Sequence, residues 1–243
     1  MKIKGICSYK GTNYYGWQKQ VGFNSVQSTI EGVLSQIYNQ EINIVGSGRT
    51  DAGVHALKQY FHFEVDKEKD LKQLAYSANK MLPDDIMILS FEVADDAFHA
   101  RYSAKKKQYE YCIELTNKDP FNYERAYVYP MSLDLELFKH AISLFKGKRN
   151  YQDFTSKEED EGNFIREIYN IEVEQINNLI SVRFEGNGFM RYQIRNMIGA
   201  AISVASQKEK LDFISYHLKN DKEREIISYK APACGLYLVD VIY

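Results

Sequence analysis

Residues 46–56 read Gly46-Ser47-Gly48-Arg49-Thr50-Asp51-Ala52-Gly53-Val54-His55-Ala56. Three glycines, a cation, a carboxylate and an imidazole thus share one short segment between two apolar stretches. Glycine tolerates positive φ and lets another group approach the backbone closely. A loop of this kind can hold Asp51 in one position with Arg49 nearby, which suits a carboxylate that attacks or deprotonates a bound substrate. The plainer alternative is a tight turn in which Asp51 caps a backbone group and Arg49 pairs with it.

Two further clusters carry candidate chemistry. Residues 99–109, HARYSAKKKQY, hold Arg101, Lys105, Lys106 and Lys107, four fixed positive charges, and no carboxylate. Cations interleaved with Tyr102 and Tyr109 fit a nucleic-acid surface, charges on phosphates and rings on bases; the alternative is a solvated lysine run ahead of an ordinary strand. The third cluster runs from Gly186 to Asn196, where glycines precede a helix with apolar later turns. Arg191 and Arg195 are four apart and share a face near its start, where unpaired N–H groups also favour an anion. Arg195, set among Ile194, Met197 and Ile198, is the one expected to be partly buried and paired.

Other chemistries lack their residues. His55, His62 and His99 have no metal-ligand spacing, and Cys7, Cys112 and Cys234 form neither a CxxC pair nor a paired framework. No GxSxG, GxGxxG or GxxxxGK[ST] occurs, so a nucleophile elbow and the common nucleotide-cofactor loops are absent. The expectation from these residues is no metal site and no nucleotide-cofactor loop. MKIKGICSYK lacks the apolar core of a signal peptide, and no apolar run approaches a membrane span, so the protein is expected in the cytoplasm with no membrane partner. Net charge is −2, so any polyanion must be met by a local patch; the acidic run at 158–161 reads as a solvated face. The 19 tyrosines and 13 phenylalanines suit base stacking, but a low-GC genome is the better account of most of the tyrosines.

The elements that must position these residues follow from periodicity. Residues 2–9, 42–45, 58–65 and 86–93 read as strands. Val26, Ile30, Val33, Leu34 and Ile37 mark a helix capped by Asn24 or Ser25, and Leu71 to Leu82 a second one stopped by Pro83. The second half alternates likewise. It has a strand through Tyr109, Tyr111, Ile113 and Leu115, a helix from Leu135 to Phe145, and strands near 166–174 and 179–185. A helix over 194–205, a short one near 209–219 and a last strand at 236–243 complete it. The expected fold is α+β: two similar halves, 1–104 and 105–243, each a mainly antiparallel sheet with helices on one face, packed around a central basic cleft.

Together these segments resemble the tRNA pseudouridine synthase A family. The matching stretches are YKGTNYYGWQKQ at 9–20, SVQ at 25–27, GSGRTDAGVHAL at 46–57, FHARYSA at 98–104 and the Tyr109 strand. They continue with DFTS at 153–156, GNGF and IRNMIG within 186–199, and APACGLYL at 231–238. They keep the family's order over nearly the whole chain, and GRTDAGVHA is the specific one. The resemblance implies the pseudouridine synthase fold and isomerisation of uridine in the anticodon stem-loop of tRNA, at positions 38, 39 and 40, without a cofactor, by a homodimer. It implies Asp51 as nucleophile, Tyr109 against the target base, Arg195 paired with the aspartate, Leu236 as an apolar wall, and Arg49 near the RNA backbone and a flipped-out nucleotide. Lys10 stands where the family usually has Asp, and Arg191-Tyr192-Gln193 where it usually has a histidine.

Two readings from other classes compete. One is a non-catalytic RNA-binding protein in which Asp51 is a turn residue; the other is a small-molecule hydrolase using Asp51 and His55 as an acid–base pair.

Overall fold

In Lys2–Tyr9 (β1) the residues Ile3, Gly5, Cys7 and Tyr9 are buried and those between them are not, so one face of the strand meets a core. Its neighbours are His55–Glu64 (β3) and Ile86–Val93 (β4), both antiparallel, with Gly5 opposite Phe61 and Ile3 opposite Phe63. Val45–Gly46 (β2) pairs with the outer part of β3. Glycine at position 5 is a packing requirement: a Cβ there would lie 2.4 Å from the Phe61 ring. Phe61, Phe63, Phe91 and Trp17 form a network of ring contacts at 5.8–6.2 Å. Each such buried ring stabilises the unit by roughly 1.5–3 kcal/mol.

Helix Val26–Tyr38 (α1) begins at Ser25, whose hydroxyl accepts the Ser28 amide at 3.2 Å while the Ser28 hydroxyl accepts the Ser25 amide. It buries Val26, Ile30, Leu34 and Tyr38, a helical spacing, and Tyr38 meets Phe63 edge-on. Helix Leu71–Met81 (α2) is capped by Asp70 and ends at Leu82, where Pro83 prevents its continuation. These elements belong to one compact unit, Met1–Lys105 with Tyr237–Tyr243.

The last strand corrects the expected division at 104/105. Leu236–Ile242 (β10) runs parallel beside β3, with Tyr237 opposite His55 and Leu238 opposite Ala56, so residues 237–243 group with the first unit. Asp240 reinforces this, accepting Lys58 Nζ at 2.8 Å and the Tyr60 hydroxyl at 3.0 Å. The expected strand at 42–45 shrinks to Val45–Gly46; Ile42 and Ile44 are buried outside it.

The second unit, Lys106–Leu236, is built on four antiparallel strands: Lys106–Glu114 (β5), Gly147–Asn150 (β7), Ile165–Ile176 (β8) and Leu179–Gly186 (β9), in the order β5-β9-β8-β7. Tyr127–Val128 (β6) adds a short parallel pairing on β5. On the buried face Tyr109, Tyr111 and Ile113 stand opposite Phe184, Val182 and Ile180. Helix Leu135–Ser143 (α3), capped by Asp134, packs against Gln193–Ala205 (α4), and Asp212–His217 (α5) follows. Every residue of α4 except Gly199 is buried, the pattern of a helix enclosed on all sides. A Cβ at Gly199 would lie 2.9 Å from the Tyr229 carbonyl carbon and oxygen, so glycine here allows residues 229–231 to lie against α4. The class is α+β, with mostly antiparallel sheets.

The structure is a computed structural model that describes residues 1–243 apart from 118–119, 121–123, 157–161 and 220. The acidic run at 158–161 lies outside the described residues.

Candidate active site

The loop that carries Asp51 is tied down at each step. Trp17 N donates to the Thr50 carbonyl at 3.2 Å, Gly53 N to the Tyr14 carbonyl at 3.3 Å, and Val54 N to the Asp51 carbonyl at 3.1 Å. The Tyr9 hydroxyl shares a hydrogen bond of 2.9 Å with Thr50 Oγ1 inside the core. Upstream, the Ser47 hydroxyl donates to Gln59 at 2.6 Å and Gln59 Nε2 to the Gly48 carbonyl at 2.9 Å. Glycines make the close approaches possible. A Cβ on Gly16, at φ +87°, would fall 2.4 Å from the Thr50 oxygen, and one on Gly11 2.0 Å from the Val54 oxygen. Gly53 takes φ +79°. Asp51 remains half-buried at the end of this scaffold and Arg49 is exposed, its Nε donating to Gln18 at 3.3 Å. These bonds fix the backbone on either side of Asp51.

His55 belongs to the scaffold. It is 2% exposed, its Nδ1 accepts the Gly11 amide at 3.0 Å, and its ring lies 4.7 Å from that of Tyr237. With Nδ1 committed to a backbone donor, the acid–base partnership required by a hydrolase loses one of the ring's two nitrogens.

The same device recurs in the basic segment. His62 Nδ1 accepts the Ala100 amide at 3.1 Å, and His99 Nδ1 accepts the amides of Arg101 and Tyr102 at 3.1 and 3.2 Å. The turn at 98–103 is thereby rigid and leaves Arg101 and Tyr102 exposed. The lysine run is not a uniform patch. Strand alternation divides it, Lys106 sharing a face of β5 with Gln108, and Lys107 with Tyr109. Lys106 Nζ bonds Glu185 at 2.9 Å, and with Gln108 it holds that carboxyl below the usual carboxylate range. Lys105 is exposed and lies in the first unit.

In the second unit Arg195 is buried within α4, and its Nε donates to the Ala231 carbonyl at 2.8 Å while Ala231 N returns a bond to the Arg195 carbonyl at 3.0 Å. Its guanidinium lies 5.3 Å from the Tyr192 ring centre, which also receives Arg191 at 4.8 Å and Lys230 at 4.4 Å. Tyr192 occupies the left-handed region at φ 64°, at the N-cap of α4. Three cations around one ring make this end of the helix strongly positive. Tyr109 is 8% exposed and meets Phe189 edge-on at 5.2 Å. Leu236 is 6% exposed and follows the turn Ala233–Gly235, where a Cβ on Gly235 would fall 2.7 Å from the Tyr111 ring. The Tyr111 hydroxyl donates to the Pro232 carbonyl at 2.8 Å, and burial pushes this phenol far above its usual range. One strand, β5, thus holds Tyr109 and, through Tyr111, the segment leading to Leu236.

Sequence reasoning passed over Asp153. It is fully buried; Oδ2 meets His217 Nδ1 at 2.7 Å and Lys222 Nζ, and Oδ1 accepts the Glu225 amide at 2.8 Å. This fixes residues 153–156, from which Thr155 Oγ1 donates to the Arg191 carbonyl at 2.9 Å and the Phe154 carbonyl accepts Asn196 Nδ2 at 2.9 Å. The start of α4 is therefore held by that loop. The only sequence signal was the DFTS run, since its partners lie 64 and 69 residues away.

Among the described residues no group of three or more His, Cys, Asp or Glu side chains is arranged to hold a metal ion, and no helix is long and apolar enough to cross a membrane.

A family model described as tRNA pseudouridine synthase matches residues 6–103 and 141–243. A protein of Geobacillus sp. (strain WCH70) named tRNA pseudouridine synthase A is 38% identical over 244 residues, covering 100% of this chain and 98% of its own. One of the same name from Exiguobacterium sp. (strain ATCC BAA-1283 / AT1b) is 38% identical over 242 residues, with the same coverage. Another, from Mycoplasma genitalium, is 34% identical over 98% of this chain and 97% of its own. A looser likeness is to a chain of a crystallised Cbf5–Nop10–Gar1 complex, with TM-score 0.37 and 11% identity over 82% of this chain and 53% of that one.

Proposed function

The chain belongs to the tRNA pseudouridine synthase family, and from that membership we propose which of its residues perform the isomerisation. The reaction breaks the C1′–N1 bond of a uridine, turns the freed uracil and joins C1′ to C5. N1 gains a proton and C5 loses one, so nothing is oxidised and no group leaves; a cofactor has no step to supply.

Asp51 is the nucleophile. It adds to the sugar or the base, or takes a proton from the ribose; either route requires an ionised carboxylate. Arg195 is the cation that keeps it ionised in a dry site. Tyr109 and Leu236 bound the target base and hold the free uracil while it turns. Arg49, Arg101, Lys105, Lys106 and Lys107 contact RNA phosphates, and their binding energy offsets the few kcal/mol needed to unstack the target nucleotide. The substrate region is the anticodon stem-loop of tRNA, at positions 38, 39 and 40. The enzyme works as a homodimer in the cytoplasm.

The observation that supports this reading is the fixed loop itself: Thr50, Asp51 and Gly53 each have a backbone group held by a named partner, so the backbone that carries Asp51 is set in one position. The test is carbodiimide mapping of pseudouridine on an unmodified tRNA transcript incubated with pure protein and no added cofactor. Wild-type protein converts uridines in the anticodon stem-loop. Asp51→Asn binds the transcript but loses turnover by at least about three orders of magnitude. Equal conversion by the two proteins would remove Asp51 from the mechanism.

A further inference from the structure

The segment between β1 and α1 forms a small hairpin whose outer side is apolar. Tyr15 N donates to the Asn24 carbonyl at 2.9 Å, Phe23 N to the Gln20 carbonyl at 3.4 Å, and Gly22 takes φ +80° at the turn. Gln20 Nε2 closes the hairpin by donating to the Tyr15 carbonyl at 3.3 Å. The rings of Tyr15 and Phe23 lie 4.6 Å apart at 57% and 49% exposure, and Val21 at the tip is 99% exposed. Single exposed apolar residues are ordinary. Here two exposed rings meet each other on one hairpin, with Val21 at its tip.

Two observations indicate what meets them. The hairpin's base is the structure that holds the Asp51 loop, through Trp17 N on the Thr50 carbonyl and Tyr14 O on Gly53 N, and Gln18 at its flank accepts Arg49 Nε. Arg49, held at this flank, is exposed, while Lys19 on the hairpin pairs with Glu31 at 3.1 Å. An exposed ring pair on a hairpin whose flank holds the Arg49 guanidinium, rooted in the loop of the carboxylate proposed to act on RNA, matches the chemistry of an unpaired nucleotide: π-face on ring, phosphate on guanidinium. We propose that the Tyr15/Phe23 pair is a stacking platform for an unpaired nucleotide near the target uridine, with Arg49 on its phosphate. This rests on the functional reading above.

The test uses the full chain and an unmodified tRNA transcript. Tyr15→Ala and Phe23→Ala each weaken binding roughly 5- to 100-fold, the effect of losing one stacked base. Tyr15→Trp restores affinity. An anticodon stem-loop carrying 2-aminopurine beside the target uridine is quenched on binding to Asp51→Asn, and less so when Tyr15→Ala is added. Wild-type affinity in both alanine variants overturns the proposal. So does a loss of affinity that tracks a change in sedimentation, since the rings would then cover a second copy of the chain. If wild-type protein forms no pseudouridine at all, the functional reading fails instead; normal turnover with unaltered binding in the variants sinks the platform alone.

Discussion

Arg195 and Ala231 hold each other twice, the arginine Nε on the alanine carbonyl at 2.8 Å and the alanine amide on the arginine carbonyl at 3.0 Å. A cation inside a helix that is otherwise enclosed in apolar contacts is costly unless its donors are matched, and this pairing matches the Nε donor. The Nε hydrogen bond also restricts the direction in which the rest of the guanidinium extends, because Nε cannot turn without leaving the carbonyl.

Lysine cannot reproduce that geometry, having one charged head and no lateral donor. Arg195→Lys and Arg195→Met are both expected to lower kcat on the order of a hundredfold or more, with tRNA affinity changed only a few-fold. Arg195→Met also leaves the Ala231 carbonyl unpaired and lowers stability by about 1.5–3 kcal/mol, read from urea unfolding. A variant with full kcat would show that Arg195 only supports the helix.

Gly16 tests the scaffold under Asp51. Gly16→Ala combines an unfavourable φ with a backbone oxygen 2.4 Å from the new methyl, so it costs about 2–4 kcal/mol and lowers turnover at least about tenfold, because Thr50 and Asp51 must shift. Gly147→Ala is the control: its φ is +98° but nothing lies within 4 Å. That change costs about 1–2 kcal/mol and leaves turnover intact. Equal losses of activity in the two variants would mean that global stability, not loop position, is responsible.

Lys106 and Lys107 are neighbours that should differ. The head of Lys106 is engaged by Glu185, so Lys106→Met removes a cation already partly neutralised. Lys107 lies on the face of β5 that carries Tyr109, the ring proposed to bound the target base, and from that position it is expected to contribute more to RNA affinity. Lys107→Met is expected to reduce the slope of log affinity against log salt by about 1 and Lys106→Met by clearly less. Equal slopes for the two variants would restore the picture of a uniform patch.

Much of this was legible in the residues. Ser25 as a cap, Pro83 as a stop, the alternation of Tyr109, Tyr111 and Ile113, and the glycine-bordered Asp51 loop are local signals, each read within a few positions. What stayed hidden depends on partners distant along the chain. That Tyr237–Tyr243 belong with the first unit follows from pairing with His55 and Ala56, which no local pattern reports. The sequence showed only that His55, His62 and His99 lack a metal-ligand spacing; that all three spend Nδ1 on backbone amides depends on where Gly11, Ala100 and Arg101 are brought. Counting charges in the basic run also leaves out the period of two that sends Lys106 and Lys107 to opposite faces of β5.

His62 yields the pH prediction. Burial, then the neighbouring His99 and Lys2, pull its pKa below the ordinary value of 6.5, only partly opposed by Glu64. The neutral ring is the form that accepts the Ala100 amide, and protonating Nδ1 abolishes that bond. The folded state therefore binds a proton less readily than the unfolded chain. The contribution of His62 to stability is complete above the unfolded value and is lost as pH falls from there through the lower folded value. Urea midpoints are expected to decline below about pH 6.5 more steeply in wild-type protein than in His62→Gln, whose amide oxygen can accept the same N–H without titrating. Thermal scans at several pH values give an independent reading of the same slope. If wild type and His62→Gln lose stability in parallel between neutral and mildly acidic pH, His62 is not the group that couples the Phe98–Ser103 turn to protons.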